Sequence, residues 1–308
     1  MRRREFLAAA LSAPALLGKN RIDVSRLSAI TDEIGKTPEE AIQFAKQYGL
    51  QWLELRGVPG ARKPYFSLPD DELKQIARDF SANGVRISFL NTPFLKFTLP
   101  GTDVLRRRAE TPEQRERRVS READEFENRI KYLQKALSAA EILGVDKLRV
   151  FTFLRTAEPE ATFPKIAEII GEMAHVAAKA GMHLLVENES ACNVATCAEL
   201  ASFMKQVPAK NLGINWDPLN GEHQKEIAFP DGYRILPRKR IGNVQIKGKS
   251  LLDKEERLDW AAIFRALEKD GYKGKAGLET HYFDGTLIEK SHLSMKEMIR
   301  IVQQPSLT

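Results

Sequence analysis

Eight short, mostly apolar segments recur along this chain, and the stretches between them carry the periodicity of amphipathic helices. The segments lack strict alternation of apolar and polar residues, which is typical of strands buried on both faces. We predict strands at Leu27–Ile34, Gln51–Val58, Val85–Thr92, Lys147–Leu154, His183–Glu189, Leu212–Asp217, Ile241–Lys247 and Lys275–His281. Eight strand–helix units imply a parallel sheet with right-handed crossovers, and this number favours closure into a (β/α)8 barrel, the TIM-barrel architecture of the α/β class.

The predicted helices have recognisable start and stop signals. Thr37 is a suitable N-cap for a helix that begins with Pro38 and an acidic first turn, and Gly49 suits the left-handed residue that ends it. A second helix is predicted between the start signal at 67–70 and Asn83-Gly84. Three further helix-to-strand turns are marked by Gly144, Gly181 and Gly271.

The size and composition of the chain fit one globular domain. Of its 308 residues, 43% are hydrophobic and 29% are charged, which is unlike a disordered or fibrous chain. A (β/α)8 domain typically has about 250 residues, and no Pro-, Gly- or Ser-rich linker divides this chain, so we predict a single domain over 21–305. The first strand is not followed by GxGxxG or a P-loop, which argues against a nucleotide-binding open sheet.

The N-terminal segment 1–18 differs from the rest of the chain. Arg2-Arg3-Arg4 precedes a short apolar run, 8–17, which contains small residues and is too short to span a membrane. Arg3-Arg4 followed by x-Phe-Leu resembles a twin-arginine signal, so we expect a signal segment and a periplasmic or otherwise exported protein. The alternative is a basic amphipathic arm, in which case the protein is expected in the cytoplasm.

The net charge of +6 is only a weak argument for an anionic partner. Basic and acidic side chains are interspersed, and the densest basic runs contain no aromatic residues that could stack on bases. We therefore expect no nucleic-acid partner and no stable membrane insertion. Part of the charge belongs to the signal: without its three arginines and one glutamate, +6 becomes +4.

Two cysteines, Cys192 and Cys197, are close together in the sequence. A disulfide between them would close a very short loop, which gives little entropic gain and requires special geometry. We expect two unpaired thiols. The sequence also lacks the Cys/His spacing of a structural zinc site.

The segment 93–118 interrupts the alternation between the third strand and its helix. It is irregular and basic, with arginines at Arg106, Arg107, Arg108, Arg115, Arg117 and Arg118. Long loops are often functional when they border a binding site. The sequence leaves two interpretations open: a lid over the barrel mouth, or a solvated insertion without a role.

Four consecutive predicted strands end in an oxygen-bearing side chain, and barrel active sites lie at these ends. The four residues are Glu187, Asp217, Gln245 and Glu279. Because one βα unit of roughly 30 residues separates each from the next, we expect them at a similar height. The three carboxylates would repel one another unless a cation lies between them, and oxygen ligands favour Mg²⁺ or Mn²⁺. The alternative is three rim carboxylates that are paired with lysines and arginines.

These residues resemble the xylose isomerase-like barrel superfamily, the sugar phosphate isomerase/epimerase group that includes ketose 3-epimerases and endonuclease IV. The similarity extends from about Leu27 to Ile301. It rests on the order and spacing of Trp52-Leu53-Glu54-Leu55-Arg56, Val186-Glu187-Asn188, Asn215-Trp216-Asp217-Pro218, Gln245-Ile246-Lys247 and Gly277-Leu278-Glu279.

The resemblance implies a metal held by Glu187, Asp217 and Glu279, with a histidine on the seventh strand. This chain has Gln245 at the histidine position, and Asn220 where the epimerases have another histidine. An amide oxygen is a weaker ligand for hard cations and lacks the preference of imidazole for softer ones, so Mn²⁺ or Mg²⁺ is expected ahead of Co²⁺ or Zn²⁺. Three interpretations stay open: a harder metal, a weaker site, or lost catalysis. The zinc cluster of the endonuclease branch needs histidines that this chain lacks.

The chemistry implied by the resemblance is proton transfer next to a sugar carbonyl. A cation that bridges the carbonyl and the adjacent hydroxyl stabilises an enediolate, while Glu187 and Glu279 act as base and acid. Lys247 is placed to neutralise the enediolate or a substrate acid, with a rim salt bridge as the alternative. Further candidates for substrate contact are Glu54, Arg56, Arg155, Asn220 and His281. Glu54 and Arg56 are equally compatible with an internal ion pair.

Three functions follow as hypotheses. The first is a metal-dependent isomerase or epimerase of a small carbohydrate or related polyol-ketone. The second is a dehydratase or lyase of keto-polyols that uses the same enediolate and expels a hydroxyl. The third is a non-catalytic sugar-binding barrel, which the replacement of histidine by Gln245 favours. The sequence leaves a homo-oligomer open.

Overall fold

The computed structural model describes residues 21–61, 63–105 and 109–304. Its main strands are β1 (Leu27–Ala29), β2 (Trp52–Leu55), β3 (Arg86–Leu90), β4 (Lys147–Val150), β5 (His183–Glu187), β6 (Leu212–Trp216), β7 (Ile241–Lys247) and β8 (Lys275–Glu279). They form one parallel sheet in the order β1-β8-β7-β6-β5-β4-β3-β2. A parallel bridge between Ile30 and Glu54 joins the two ends of this sheet. The predicted (β/α)8 barrel is therefore confirmed.

Helices follow the strands and surround the sheet. The α-helices of the described residues are α1 (Thr31–Ile34), α2 (Pro38–Tyr48), α3 (Asp70–Ala82), α4 (Pro112–Glu127), α5 (Arg129–Leu143), α6 (Phe163–Lys179), α7 (Cys197–Gln206), α8 (Pro218–Glu222), α9 (Tyr233–Ile235), α10 (Lys249–Leu252), α11 (Trp260–Lys269) and α12 (Leu287–Gln303). Short 3-10 turns occur at Val24–Arg26, Tyr65–Ser67, Pro159–Thr162 and Arg238–Arg240, and a π turn at Ala228–Gly232. None of the helices in the described ranges is long and apolar enough to cross a bilayer.

The helix ends follow the local sequence signals. The Thr37 side chain accepts a hydrogen bond from the Glu40 amide at the start of α2, and Gly49 ends this helix at φ +66°. The helix predicted after 67–70 is α3, which ends at Ala82 just before Asn83 and Gly84. Positive φ values are also found at Gly144, Gly181 and Gly271. These predictions are confirmed.

The observed strands end at or before the predicted boundaries. β6 ends at Trp216, so Asp217 is the first residue beyond it, and β8 ends at Glu279 rather than at His281. The ladder stops here because the chain turns outward into the connecting loops. The polar residues of the strand ends therefore lie at the rim, where strand geometry still fixes their position.

The segment 93–118 is less irregular than predicted. Thr111 and Gln114 form a capping box, and α4 begins at Pro112, so the arginines after this point are on a helix. The preceding part is anchored rather than solvated: Leu95 and Phe97 are buried, and the backbone at 94–97 accepts hydrogen bonds from the chain after β4. Arg106, Arg107 and Arg108 lie outside the described residues, as does the predicted signal segment 1–18.

The core has two parts. Apolar helix faces, including Leu137, Ile170 and Met298, pack against the outside of the sheet. Inside the barrel, Leu185 packs against the backbone of β6 and β7 near their start. Buried polar side chains fill the interior towards the carboxyl ends of the strands. Cys192 and Cys197 are buried and unpaired, which confirms the prediction of free thiols.

Candidate active site and metal centre

Three buried carboxylates meet at the carboxyl ends of neighbouring strands. Glu187 is the last residue of β5, Asp217 follows β6, and Glu279 is the last residue of β8. All three are at most 4% exposed, and one oxygen from each lies within 4.8 Å of the others. Carboxylates this close in a buried site repel one another strongly unless cations balance their charge.

Three cationic side chains of the protein contact this group. Arg149 of β4 donates to Glu187 at 3.0 Å. Lys247, the last residue of β7, lies 2.5 Å from Asp217 and 3.5 Å from Glu279. Arg56, beyond β2, donates to Glu279 at 2.9 Å. Each of the three carboxylates thus contacts a lysine or an arginine, as the alternative to a metal site predicts.

The electrostatics of the group follow from burial. Burial raises the pKa of Asp217 to about 6, against the opposing effect of Lys247 and with added repulsion from Glu187 and Glu279. Burial would also raise the pKa of Glu279, but Lys247, His281 and Arg56 hold it well below its usual value. At neutral pH the group therefore contains ionised carboxylates.

Gln245 lies one side-chain step deeper in the barrel than Lys247. In the ladder, Gln245 pairs with Gly277, whereas Lys247 pairs with Glu279. The Gln245 amide oxygen accepts from Asn215 at 3.2 Å, and its NH₂ group donates to the carbonyl of Gly277 at 3.4 Å. Asn215 also donates to Glu187 at 2.5 Å. Gln245 is therefore linked to Glu187 through Asn215, and metal ligation by Gln245 stays a prediction.

Arg56 organises one side of the barrel mouth. Its guanidinium contacts Asp32 at 3.1 Å, Glu33 at 2.8 Å and Glu279 at 2.9 Å. His281 lies beside Glu279, with 3.5 Å between Nδ1 and Oε1, and its backbone amide donates to Glu33. Arg56 and His281 are both partly exposed, so they face the space where a substrate would enter.

Lys96 and Glu189 form an ion pair on another side of the mouth. The distance between Nζ and Oε2 is 2.6 Å, and Lys96 also lies over the ring of Phe151. Burial would raise the pKa of Glu189, but Lys96 and Lys247 lower it to about 2. The segment 93–118 thus contributes Lys96 to the mouth, and the choice between a lid and an insertion without a role stays open.

Two other predicted contacts, Glu54 and Arg155, lie at different depths of the barrel. Glu54 is completely buried below the carboxylate group and is hydrogen-bonded by Ser28, Asn91 and Asn243, so its predicted position at the substrate surface is corrected. It lies deeper than Arg56 because it is two residues closer to the start of its strand. The guanidinium of Arg155 binds Glu199 through two contacts of 2.7 and 3.1 Å, and Arg155 lines a groove at the rim, so its contact with substrate stays a prediction.

The loop after β6 carries another predicted contact, Asn220, and a histidine, His223. Asn220 is buried, donates to the carbonyl of Asn188, and has its amide oxygen 3.4 Å from Lys247. His223 lies 3.5 Å from Glu256 at the rim. Asn220 is therefore in contact with the site, whereas His223 has another partner.

Sequence analysis missed several residues that contact the site. They include Asp32, Glu33, Lys96, Arg149, Glu189 and Asn215. A readable signal existed for Arg149, because an arginine inside an apolar predicted strand must either face a polar interior or find a buried partner. Lys96 carried no such signal, since nothing in an irregular segment fixes the direction of a side chain.

A groove of about 450 Å³ adjoins this region. It is lined by the loops after β4, β5 and β6, with Leu154, Ser190 and Gln224 among its residues, and by Val104 and Leu105 of the segment 93–118. Ser190 and the amide of Ala191 both donate to Glu189, which binds Lys96 through its other oxygen. Two residues of the groove wall, Ser190 and Ala191, are therefore hydrogen-bonded to the acid of the Lys96–Glu189 ion pair.

The donor set is compatible with a divalent cation. Among the described residues, the carboxylates of the mouth are Asp32, Glu33, Glu187, Glu189, Asp217 and Glu279, and their cationic partners are Arg56, Lys96, Arg149 and Lys247. If all six carboxylates were ionised they would exceed the four cations by two negative charges, which one divalent ion would neutralise, although burial raises the pKa of Glu33 and of Asp217. Glu187, Asp217 and Glu279 could hold such an ion between them.

Solved structures with the same fold include several enzymes. The 3-keto-D-glucoside 4-epimerase YcjR from E. coli is 13% identical, with a TM-score of 0.63 over 90% of this chain and 98% of its own. The probable 3-DHS dehydratase AsbF from Bacillus anthracis is 16% identical, with a TM-score of 0.65 over 89% and 98%. The IolI protein, solved with a bound zinc atom, is 16% identical, with a TM-score of 0.64 over 90% and 98%.

At these identities the likeness shows the fold alone. No curated protein sequence is significantly similar to this one. The family model for xylose isomerase-like TIM barrels, however, matches residues 42–302, which is most of the chain. The family match, the eight-stranded barrel and the carboxylates at its strand ends lead to one identification: this protein belongs to the xylose isomerase-like TIM barrel family.

Proposed function

We propose that this protein is a metal-dependent isomerase or epimerase of a sugar or related polyol-ketone, and that its site is built on Glu187, Asp217 and Glu279. The observation that carries the proposal is the convergence of these three buried carboxylates within 4.8 Å. The excess of negative charge around them supports a divalent ion. Because the donors are oxygens, Mg²⁺ or Mn²⁺ suits the site better than a softer metal.

The proposed reaction is proton transfer at the carbon next to a carbonyl. A bound divalent ion would polarise the carbonyl and the adjacent hydroxyl of the substrate. Glu187 and Glu279 project from different strands, so one can remove the proton while the other returns it to the opposite face. Arg149 and Asn215 both bind Oε2 of Glu187, which leaves Oε1 as the oxygen that accepts the proton.

Lys247 and Arg56 would balance the charge that develops on the substrate. The Lys247 ammonium is buried, and Asp217, Glu279, Glu189 and Glu187 raise its pKa well above the usual value although burial opposes this. A fixed positive charge at this position stabilises an enediolate without reorganisation of solvent. Arg56, held by three carboxylates, would keep Glu279 oriented towards the substrate.

The groove beside Glu189 supports a substrate that extends beyond one sugar ring. It is lined by the apolar Leu154 and by hydrogen-bonding groups of Ser190 and Gln224, a mixture that suits a sugar or aglycone unit. YcjR is named for a glucoside, which also has a second part beyond the reacting ring. We therefore propose a glycoside or disaccharide derivative as substrate rather than a free triose or tetrose.

The test is proton exchange with solvent. Purified protein supplied with Mn²⁺ or Mg²⁺ is incubated in D₂O with a panel of ketoses, aldoses and keto-glycosides, and deuterium next to the carbonyl is measured by NMR. We expect incorporation that Glu187→Gln and Glu279→Gln abolish. Glu256→Gln, which alters a rim carboxylate paired with His223 and Lys249, is the matched control. Absence of exchange across the panel, or exchange that survives in both variants, contradicts the proposal.

A dehydratase or lyase is the second candidate. His281 favours it, because a partly exposed imidazole 3.5 Å from Glu279 is well placed to protonate a departing hydroxyl. Both reactions begin with the same proton removal, so exchange does not separate them. Product analysis does: a dehydratase yields a product that lacks one water, and His281→Ala should then reduce elimination more than exchange.

A further inference from the structure

The floor beneath the carboxylate group contains a fourth buried acid, Glu54. Its carboxyl is completely buried on β2, and its hydrogen-bond donors are neutral: Ser28 at 2.9 Å, Asn91 at 2.9 Å and Asn243 at 3.2 Å. The opposite strand makes room for it, since a Cβ at Gly277 would lie 1.9 Å from Glu54 Oε1. Because these donors are uncharged, ion pairing with them does not explain why the carboxyl of Glu54 is buried here.

A chain of hydrogen bonds with a defined direction leads from Glu54 through Asn243 and Asn215 to Glu187. Oε1 of Glu54 accepts from the Ser28 hydroxyl and from the NH₂ group of Asn243. The same NH₂ group donates to the amide oxygen of Asn215 at 3.0 Å. The NH₂ group of Asn215 is thereby turned towards the site, where it donates to Glu187 at 2.5 Å and to the oxygen of Gln245 at 3.2 Å.

We infer that Glu54 is a positioning residue, which acts through Asn243 and Asn215 to fix the orientation of Glu187. The NH₂ group of Asn243 has two hydrogens, and an acceptor at Glu54 directs this group into the barrel so that one hydrogen goes to Glu54 and the other to Asn215. Asn215 then accepts with its oxygen and donates with its own NH₂ group. The relay holds Oε2 of Glu187. The importance of this for catalysis rests on the proposed function, whereas the relay itself does not.

The direct test substitutes Glu54→Met, which keeps the length of the side chain but removes the acceptor that the relay needs. The readout is the side-chain NH₂ resonance of Asn215 in protein labelled with [¹⁵N]asparagine, assigned by comparison with Asn215→Ser. We expect its exchange with solvent to become about tenfold faster or more in Glu54→Met, because the hydrogen bond to Glu187 is lost. No metal or substrate is needed for this measurement.

Ser28→Ala is the matched control. It removes a hydrogen bond to the same Glu54 oxygen but lies outside the relay, so it should lower the melting temperature without altering the Asn215 resonance. Asn243→Ala breaks the relay with Glu54 intact and should reproduce the effect of Glu54→Met if that variant does not fold. An unchanged Asn215 resonance in Glu54→Met, or in Asn243→Ala, overturns the inference.

A double variant in which the donor and the acceptor are exchanged distinguishes a positioning role of Glu54 from a purely structural one. Glu54→Gln combined with Asn243→Asp restores one donor and one acceptor at the floor, but the new carboxylate on β7 now takes the NH₂ group of Asn215 and turns its oxygen towards Glu187. A purely structural role for Glu54 predicts recovery of both melting temperature and Mn²⁺ affinity. The relay predicts recovery of the melting temperature alone, with Mn²⁺ binding still weakened about tenfold or more. Failure of the native protein to bind Mn²⁺ would contradict the proposed function and leave the NMR result to decide the relay.

Discussion

The ammonium of Lys247 lies 2.5 Å from the carboxylate of Asp217, and neither side chain is more than 6% exposed. Each charge compensates the burial of the other, and Glu279 at 3.5 Å shares the same ammonium. Such a pair contributes little net stability compared with apolar residues, but removal of one partner leaves a buried charge unpaired. A substitution that removes either partner of this pair should therefore lower the stability of the protein strongly.

Lys247→Met is expected to destabilise the protein by about 3–5 kcal/mol at pH 8, because Asp217 loses its partner. The loss should be smaller at pH 5, since Asp217, whose pKa already lies at about 6, is then protonated and uncharged. Urea unfolding at both pH values measures the effect. Lys249→Met, which breaks a half-exposed contact with Glu256, is the control and should cost less than about 1 kcal/mol. Equal stability of Lys247→Met and this control would contradict the assignment.

The Lys96–Glu189 pair should give stability that depends on acid pH. The folded protein lowers the pKa of Glu189 to about 2 from its usual 4.5. A lowered carboxyl pKa adds stability above the unfolded-state value, and this stability is lost as the pH falls through the folded-state value. Glu189→Gln should therefore be less stable than the native protein by up to about 3 kcal/mol at pH 7, with the difference shrinking between pH 4.5 and 2. A difference that is independent of pH would argue against the ion pair.

The strand ends that carry the site can be predicted from sequence. Glu187, Asp217 and Glu279 each follow an apolar run at an interval of one βα unit, and in a parallel barrel such positions must meet at one face. The convergence within 4.8 Å follows from that topology. The helix that begins at Pro112 was also readable from Thr111 and Gln114, but the run of basic residues obscured this capping signal.

The depth and partners of the side chains could not be predicted in the same way. The alternation on β2 places Glu54 and Arg56 on one face, but only closure of the barrel decides that one is buried and the other lies at the mouth. The contact between Lys96 and Glu189 joins the loops after two different strands, and nothing local fixes it. Sequence pattern thus predicts which strand a residue lies on better than its height along the barrel.

A bulky side chain at the rim tests the substrate groove. Ala191 is exposed and lines this groove, so Ala191→Trp should fill part of it without disturbing the core. We expect at least a tenfold loss of kcat/KM for a keto-glycoside or disaccharide and less than a twofold change for the matching monosaccharide. Ala82→Trp, on the exposed end of α3, is the control for the new indole. Equal losses for both substrates would place the extended part of the substrate elsewhere.

The last prediction concerns Gly277, whose missing side chain leaves the space that Glu54 occupies. A Cβ at Gly277 would lie 1.9 Å from Oε1 and 2.5 Å from the carboxyl carbon, so Gly277→Ala forces the buried carboxyl to move and breaks its bonds to Ser28 and Asn243. We expect a loss of about 2–3 kcal/mol in urea unfolding, which combines overpacking with unsatisfied buried polar groups.

Two comparisons test whether this loss comes from Glu54. Gly171→Ala in α6, where a Cβ meets nothing within 4 Å, should instead gain up to about 1 kcal/mol from helix propensity. In the background of Glu54→Ala the clash is absent, so Gly277→Ala should cost less than about 1 kcal/mol there. A full loss in that background would show that the backbone of β8, rather than the buried carboxyl, requires glycine at this position.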